Sequence, residues 1–368
     1  MPGSQRLVDL IQQRLDSFLD ERTRELSEVS PDLDVIDAAA RGLLAGGKRF
    51  RARFCYWGWQ SVAARGDDFD PSAAPALEAA ISVAAALEIF HAAALVHDDI
   101  MDNSDLRRGE PSLHRRFETL HRDRGWSGSA AGYGTASALL LGDLLLGWSD
   151  GLFEQGLALA TSDAAAATRA EFARMRTEVM LGQYLDMLEE HSWRGRLDAE
   201  LLSRAHRVIV YKSAKYSVEA PLAIGATLAG GSLAQVAALR EFGLPLGVAF
   251  QLRDDLLGVF GDPAVTGKPS GDDLREGKRT VLINVARQKL PGSASRLLDE
   301  LLGDPSLDAQ QITMLQASIR DSGAVDQIER IIAHNVEVAT AALAEAPIAR
   351  SARDELTALA DTVTRRDS

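Results

Sequence analysis

Residues 79–109 decide the fold, and they read AAISVAAALEIFHAAALVHDDIMDNSDLRRG. Val83, Leu87, Phe90 and Ala94 recur at spacings of three and four, which is the period of a helix. Alanine and leucine are strong helix formers, and in this stretch they outnumber β-branched residues. The segment therefore predicts a long helix that is buried on more than one face and ends in acidic residues.

The rest of the chain carries the same helical signal. Residues 7–18 repeat the spacing, and no run alternates with period two between turn residues. A prior of about 150 residues per domain would divide the chain into two or three domains, but no repeat or composition break supports a division. We therefore expect an all-α fold, a single-domain bundle of about ten or more helices over residues 1–368.

Composition and charge exclude several classes of protein. The net charge of −13 and the pI of about 5.1 oppose a general attraction to nucleic acid. Cys55 is the single cysteine, so an internal disulfide and a cysteine-based zinc site are excluded. Residues 1–18 resemble an amphipathic helix rather than a signal peptide, and no stretch reaches about 18 uncharged apolar residues. We expect a cytoplasmic protein without an integral membrane segment.

The first acidic cluster lies at the end of the long apolar helix. Asp98 and Asp102 are four residues apart, so on a helix they share one face about 6 Å apart along the axis, with Asp99 beside them. Like charges at this spacing repel each other unless a cation lies between them. Mg²⁺ prefers oxygen ligands and typically takes one or two carboxylates plus substrate phosphates. The alternative is a solvated acidic helix end, and the apolar sequence before the cluster argues against it.

A second acidic pair, Asp254 and Asp255, ends another apolar segment within FQLRDDLLGVFGD, residues 250–262. Two such pairs suggest two metal-binding walls that face one cavity. Taken alone the second pair is weak evidence, since adjacent aspartates also occur in polar loops at 67–68 and 272–273.

Cations complete the candidate site. GGKRFRAR, residues 46–53, places Lys48 and three arginines beside two glycines. The other candidate cations are Arg107, Arg108, Lys212, Lys268 and Lys278. Arginine makes bidentate contacts with phosphate and lysine makes point-charge contacts, so their pairing with metal-type acids favours a phosphate ester as ligand. His91 lies two helical turns before Asp98 on the same face, which favours a place in the site over a core histidine.

These motifs, taken in order, resemble the trans-isoprenyl diphosphate synthases of the polyprenyl synthetase family over about residues 35–345. The matching stretches are GGKRFR (46–51), DDIMD (98–102), LRRG (106–109), GQYLD (182–186), YKSA (211–214) and FQLRDD (250–255). The resemblance implies the type I isoprenoid synthase fold, with helices around a central elongated cavity. It also implies a Mg²⁺-dependent trans-prenyltransferase that condenses isopentenyl diphosphate with an allylic diphosphate, either dimethylallyl, geranyl or farnesyl diphosphate.

The resemblance assigns a role to each matching residue. Three Mg²⁺ ions are expected, with Asp98 and Asp102 as ligands at the allylic diphosphate, Asp254 as the ligand on the opposite wall, and Asp99 in support. The isopentenyl diphosphate residues would be Lys48, Arg51, His91 and Arg108, with Phe250 packed nearby. The allylic diphosphate residues would be Arg107, Lys212 and Lys268. The remaining substrate or reaction-centre residues would be Gln183, Asp186, Ser213, Gln251 and Lys278.

Two positions depart from the family pattern. The second acidic motif usually reads DDxxD, but its third acid is replaced by Gly258 here, and Asp262 is too far along the chain to be assumed a substitute. Ser213 stands where the family often has threonine, which keeps the hydroxyl. The first change puts the outer edge of the second metal site in question.

Product length in this family depends on residues just before the first acidic motif. Ala93 and Ala94 stand where a bulky aromatic would stop the chain at fifteen carbons, which leaves the shaft open about 7.5 Å below Asp98. Phe90, about 12 Å below Asp98, would form the floor. We therefore expect geranylgeranyl diphosphate, with twenty carbons, as the main product, and Ala93→Tyr to shorten it. If Phe90 instead turns aside to pack against a neighbouring helix, a longer product is expected.

Three other functions stay open at this point. A farnesyl or longer-chain polyprenyl diphosphate synthase would share all the motifs. A class I terpene cyclase shares the fold and a DDxxD motif, but it needs no second diphosphate site such as Lys48, Arg51 and His91. A non-catalytic partner subunit would be expected to lose an acidic motif. The family also implies a homodimer through paired central helices.

Overall fold

The computed structural model describes residues 2–63, 74–263 and 269–364, and in these ranges the chain is almost entirely helical. The elements of the first half are α1 (Pro2–Val29), α2 (Asp34–Leu44), α3 (Phe50–Ala63), α4 (Ala74–Met101), β1 (Leu106–Arg107), β2 (Glu110–Pro111), α5 (Leu113–Asp123) and α6 (Ala130–Leu157). Short 3₁₀ turns lie at Pro31–Leu33 and Trp193–Gly195. The predicted all-α class is confirmed.

The second half begins with a long helix and continues through a π-helical segment, Ile209–Glu219, which we call the π segment. Its elements are α7 (Ser162–Ser192), α8 (Asp198–Val208), the π segment, α9 (Ala220–Leu228), α10 (Leu233–Phe260), α11 (Asp272–Glu276), α12 (Val281–Lys289), α13 (Gly292–Leu301), α14 (Ala309–Asp321), α15 (Ala324–Glu345) and α16 (Arg350–Thr364). The start of α10 is fixed by a capping box between Ser232 and Gln235.

A short hairpin with two residues in each strand is a local feature that helical periodicity did not predict. Strands β1 and β2 are antiparallel, with Leu106 opposite Pro111 and Arg107 opposite Glu110. Arg108 and Gly109 have φ values of 55° and 80°, a left-handed backbone that reverses the chain at once. The reversal keeps Arg107 and Arg108 close to the acidic end of α4.

Helix α4 packs along α6 and lies among α3, α5 and α9. Three helices are long and apolar enough to span a membrane by length and composition, namely 75–101, 130–157 and 233–260. In the apolar window of the first, 83% of the residues are buried inside the bundle, as the alanine-rich sequence predicted. The apolar composition of α4 thus reflects its burial within the helical bundle.

The core consists of two clusters of buried apolar side chains. The larger cluster draws on α1–α7, α9 and α16, and the smaller on α8 and α11–α14. The π segment contributes Tyr216 to the larger cluster and Ala214 to the smaller, and α10 and α15 likewise contribute to both. These three elements join the clusters, and the ends of α4 and α10 meet at the boundary between them.

Candidate active site

A cavity of about 700 Å³ lies at this boundary, and it gathers most of the residues predicted from the sequence. The predicted residues on its wall are Lys48, Arg51, His91, Ala94, Asp98, Asp102, Arg107, Arg108, Gln183, Asp186, Lys212, Ser213, Phe250, Gln251, Asp254 and Lys278. They come from α3 and the loop before it, α4 and the turn after it, the hairpin, α7, the π segment, α10 and the segment before α12. Lys268 lies outside the described residues.

Asp98 is the centre of a network that links α4 to α7 and the π segment. Its Oδ1 accepts hydrogen bonds from Lys212 Nζ at 3.1 Å and Gln183 Nε2 at 3.0 Å. Lys212 also donates to Asp186. Burial raises the pKa of Asp98, but the positive charges of Lys212 and Arg107 outweigh it and hold the pKa below its usual value. Asp98 is therefore an anion that already lies among cations.

Asp102 behaves differently, although it is only one turn away. Lys278 Nζ donates to its Oδ2 at 2.7 Å. Burial and the negative charge of Asp98 nevertheless raise the pKa of Asp102 to about 7. The neighbouring cations of the protein therefore do not fully stabilise the negative charge of Asp98 and Asp102 together. This favours the binding of a further cation between the two carboxylates.

Asp99 faces away from the cavity and supports the hairpin. It is 3% exposed, and Arg107 Nε donates to its Oδ1 at 2.9 Å, with a second bond from Nη2. Arg107 Nη2 also lies 3.4 Å from Asp98 Oδ2. The second aspartate of the motif therefore positions an arginine on the cavity wall.

A basic wall stands beside the acidic one. Arg51 lies over the ring of Tyr216, 4.4 Å from its centroid, and donates to Ser217 Oγ at 2.8 Å. The Tyr216 hydroxyl lies 3.0 Å from His91 Nδ1. Burial lowers the pKa of His91, and the charges of Arg51 and Arg108 lower it further, so this imidazole is neutral at neutral pH. The wall offers several fixed cations and a neutral donor or acceptor to an anionic ligand.

Two close approaches between helices fix the π segment in the site. A Cβ at Gly182 would lie 2.4 Å from the backbone nitrogen of Lys212, and a Cβ at Gly247 would lie 2.5 Å from the carbonyl oxygen of Ala214. Helices α7 and α10 therefore contact the π segment backbone to backbone. Within the segment, residues 212, 213, 216 and 217 lie together on the cavity wall.

The opposite wall is the end of α10. Asp254 lines the cavity, while Asp255 is 4% exposed and accepts a hydrogen bond from Gln251 Nε2 at 2.8 Å. Burial raises the pKa of Asp255. Helix α10 ends at Phe260, so Asp262 lies beyond the helix and is exposed. Both acids line the cavity, and Asp254 is the more exposed of the two.

The donor set fits a hard divalent cation. Opposed carboxylates from α4 and α10 line one cavity, as two metal-binding walls require. Within the described residues, no group of three or more His, Cys, Asp or Glu side chains is close enough to surround a metal ion. Such a site could not complete a coordination shell from protein atoms alone, but it suits an ion that takes its remaining ligands from phosphate oxygens and water.

Beneath Asp98 the cavity wall is apolar. Of the two alanines predicted to open the shaft, the wall includes Ala94, whereas Ala93 is 0% exposed and belongs to the core. Phe90 is buried below them, with its ring centroid 5.8 Å from that of Tyr216 and 6.1 Å from that of Phe172 on α7. The phenyl ring therefore bridges α4, α7 and the π segment behind the wall.

Sequence reasoning missed two residues of the cavity wall, Glu88 and Tyr216, and also Glu190, which contacts the wall through Lys278. Glu88 Oε1 accepts the backbone N–H of Ala52 at 3.0 Å, and its Oε2 pairs with Arg49 at 3.5 Å. Glu190 pairs with Lys278 at 2.8 Å. Glu88 could have been found, since a carboxylate in an apolar helix one turn before His91 needs a buried partner.

An all-helical bundle whose cavity combines opposed carboxylates with a separate basic wall defines an enzyme that handles organic diphosphates. Comparison with known proteins gives the family. The sequence profile described as Polyprenyl synthetase matches residues 34–319. The chain belongs to this family, and it is a trans-prenyltransferase.

Individual relatives agree with the family assignment. The chain is 36% identical to geranylgeranyl pyrophosphate synthase from Corynebacterium glutamicum, whose crystal structure contains isoprenyl diphosphate and magnesium, with a TM-score of 0.90 over 98% of this chain and 99% of that one. It is 30% identical over 364 residues to a short chain isoprenyl diphosphate synthase of Methanothermobacter thermautotrophicus, covering 98% of this chain and 99% of the relative. It is 34% identical over 281 residues to the geranylfarnesyl diphosphate synthase of Aeropyrum pernix, covering 75% and 79%.

Proposed function

We propose that this prenyltransferase joins isopentenyl diphosphate to an allylic diphosphate and that geranylgeranyl diphosphate is its main product. The observation that carries the proposal is the division of one cavity into an acidic pair of helix ends and a basic wall. Two diphosphates need two sites of different character. The allylic diphosphate would lie between the acids, and isopentenyl diphosphate would lie at the basic wall.

Asp98 and Asp102 on one side and Asp254 on the other would hold Mg²⁺, with three ions per site expected from the family. Bound Mg²⁺ would stabilise the negative charge that develops on the leaving diphosphate. Lys212 and Arg107 already contact Asp98, so both cations lie within reach of the same diphosphate. Lys268 and Ser213 would add contacts to it.

The protein's own residues orient the second substrate. Lys48, Arg51, Arg108 and His91 would bind the diphosphate of isopentenyl diphosphate, with Phe250 beside its hydrocarbon part. The carbon–oxygen bond between the allylic group and its diphosphate would break first and leave an allylic cation. The double bond of isopentenyl diphosphate would then attack this cation, and the departed diphosphate would take the proton that is lost. The apolar wall below Asp98 excludes water, which would otherwise convert the cation to an alcohol. Gln183, Asp186 and Gln251 would line the reaction centre, and Lys278 would hold Asp102.

Product analysis with the purified protein tests this function. We expect consumption of isopentenyl diphosphate with each of the three allylic diphosphates in the presence of Mg²⁺, and loss of turnover when a chelator removes divalent cations. Turnover of an allylic diphosphate without isopentenyl diphosphate would instead indicate a terpene cyclase. A pure protein that is inactive with both substrates and Mg²⁺ would indicate a non-catalytic subunit.

The apolar wall below Asp98 supports the twenty-carbon product. Ala94 leaves the wall open one turn below Asp98, and Phe90 lies buried behind it with its ring 6.1 Å from that of Phe172 on α7. We expect Ala94→Phe to shorten the main product to fifteen carbons, because the ring would fill the shaft beside the growing chain. Chromatography of the dephosphorylated products measures this, and an unchanged product length would contradict the proposed shaft.

A twenty-five-carbon product is the second candidate. Phe90 packs against Phe172 and is absent from the part of the cavity wall that the structure describes, and a relative that is 34% identical is a geranylfarnesyl diphosphate synthase. The same product assay separates the two lengths.

Residues 1–368 would form a single polyprenyl synthetase domain, in the cytoplasm, that pairs as a homodimer. Support for pairing comes from exposed apolar side chains on α6 and α7, among them Leu140 (67% exposed) and Leu181 (58%). Only 44% of the apolar window of α6 is buried within one chain, which leaves a face for a second copy.

A further inference from the structure

The carboxylate of Asp273 lies where a side chain at position 258 would lie. An ideal Cβ built on Gly258 would be 2.1 Å from Asp273 Oδ2 and 2.6 Å from Oδ1. Gly258 is one helical turn after Asp254 on α10, and Gly258, Asp254 and Asp273 all line the cavity. The space left by the missing third acid of the second motif is therefore filled by a carboxylate from another part of the chain.

The position of Asp273 is fixed by the short helix α11. Gly271 before the helix and Gly277 after it both have a left-handed backbone, with φ of 73° and 80°. Leu274 is fully buried in the smaller core cluster, and its carbonyl oxygen accepts the N–H of Gly303 at 2.9 Å. Because the neighbouring residue is anchored in this way, Asp273 is held against α10.

A buried oxygen beside these acids has no partner among the residues that the structure describes. Asp255 lines the same cavity and is 4% exposed; its Oδ1 accepts the bond from Gln251, but within the described ranges Oδ2 has no hydrogen-bond partner. A buried polar atom in this state costs free energy unless a ligand or water satisfies it.

We propose that Asp254 and Asp273 together hold a divalent cation on the α10 wall, with Asp273 in place of the acid that Gly258 lacks. Residues four apart on a helix have Cβ atoms about 5–6 Å apart, so a carboxylate at the position of the missing Cβ can share one ion with Asp254. Two carboxylates are enough for an ion that also binds phosphate oxygens. The inference rests on the proposed function, in which this ion contacts the allylic diphosphate.

Mn²⁺ binding in the presence of inorganic pyrophosphate tests the assignment without turnover. The free ion is measured by electron paramagnetic resonance. We expect Asp273→Asn to bind Mn²⁺ roughly tenfold or more weakly than the wild type. Asp272→Asn makes the same change of charge one residue away and is the matched control, with binding expected to be unchanged. Far-UV circular dichroism without metal checks that both variants fold alike.

Substitutions at position 258 test the role of the Asp273 carboxylate independently. Gly258→Ala should displace it and weaken Mn²⁺ binding as Asp273→Asn does, and the two changes together should cost no more than either alone. Gly258→Asp in the Asp273→Asn background should restore binding.

Wild-type affinity in Asp273→Asn, or an equal loss in Asp272→Asn, would overturn the inference. The variant Asp98→Asn distinguishes failure of this inference from failure of the proposed function. If Asp98→Asn weakens Mn²⁺ binding and Asp273→Asn does not, Asp273 alone loses its role. If neither variant weakens binding, the metal-dependent function fails as well.

Discussion

Arg108 lies with other arginines on the basic wall. Burial lowers the pKa of its guanidinium, and the charges of Arg49 and Arg107 lower it further. Positive charges that lie close together repel each other, which disfavours the charged form of each group. This repulsion decreases when an anion binds among them. This is the physical reason for placing isopentenyl diphosphate at this wall and the metal-bound diphosphate at the acids.

We expect Arg108→Gln to raise the KM for isopentenyl diphosphate by roughly 10- to 100-fold, because a hydrogen bond to a charged group contributes about 1.5–3 kcal/mol. The KM for the allylic diphosphate should change far less. Steady-state kinetics with each substrate varied in turn measures both. Arg115→Gln is the control, since Arg115 pairs with Asp105 and Glu118 at 2.7 and 2.9 Å and lies on α5. Equal effects on both KM values would contradict the assignment.

His91 gives the folding stability a dependence on pH. Its pKa is lowered in the folded chain by burial and by Arg51, Arg108, Arg107 and Arg49, whereas an unfolded histidine titrates near about 6.5. Below pH 6.5 the unfolded chain therefore takes up a proton that the folded chain does not, and stability falls as the pH falls.

We expect His91→Gln to remove this loss. Between pH 6.5 and 5, the free energy of unfolding should fall less steeply in the variant, by at most about 1.4 kcal/mol per pH unit for one proton. Urea unfolding at a series of pH values measures the difference, and at pH 8 the difference between the two proteins should no longer vary with pH. Parallel curves between pH 5 and 6.5 would show that His91 titrates normally.

At the scale of residues, the sequence could identify side chains whose chemistry is unusual for their surroundings. Asp98, Lys212 and Asp254 are ions in apolar helices, and they do meet in one cavity. It could not identify Asp273, because its role depends on where α11 packs against α10. Ala93 and Ala94 are alike in sequence, and their distinction depends on the rotation of α4 within the bundle.

At the scale of elements, the site depends on how closely α7 approaches the π segment. Gly182→Ala should place a methyl group against the backbone of Lys212 and force the two elements apart. We expect a loss of about 1–3 kcal/mol in the free energy of unfolding, as for other overpacked contacts, together with a lower kcat because Lys212 moves away from Asp98.

Chemical unfolding and turnover assays measure the two effects of Gly182→Ala. Gly151→Ala on α6 is the matched control, since nothing lies within 4 Å of a Cβ there. Alanine favours a helix over glycine by about 0.5–1 kcal/mol, so this control should be slightly more stable. If Gly182→Ala also gained stability, the contact would not be close.

Helix α4 was predictable, whereas the π segment was not. The apolar residues of α4 follow the helical period, so length and burial could be predicted from local pattern. Residues 209–219 follow no such local rule, since their wider turn is stabilised by contacts with α7 and α10. The motif YKSA marked the segment as functional through resemblance, but its conformation is set by tertiary packing.

At the scale of the whole molecule, the fold class followed from composition and periodicity because nearly every segment has the helical pattern. The arrangement of two core clusters around one cavity did not follow, since contacts between distant helices leave no local pattern. The sequence also could not predict which apolar residues are exposed, because a single sequence does not distinguish a helix face in the core from one that contacts a second chain.

The exposed faces of α6 and α7 carry the last prediction. The two helices run antiparallel, with ion pairs between Glu154 and Arg169 at 2.7 Å and between Asp150 and Arg176. Their exposed apolar residues lie beyond these ion pairs, at a greater distance from the turn that connects the two helices.

We expect sedimentation equilibrium to give a dimer for the wild type. Leu140→Glu combined with Leu181→Glu should give a monomer, because two copies would bury unpaired carboxylates. Leu233→Glu, at a leucine that is 91% exposed on α10, should remain dimeric. A monomeric wild type, or a dimeric double variant, would contradict pairing through this face.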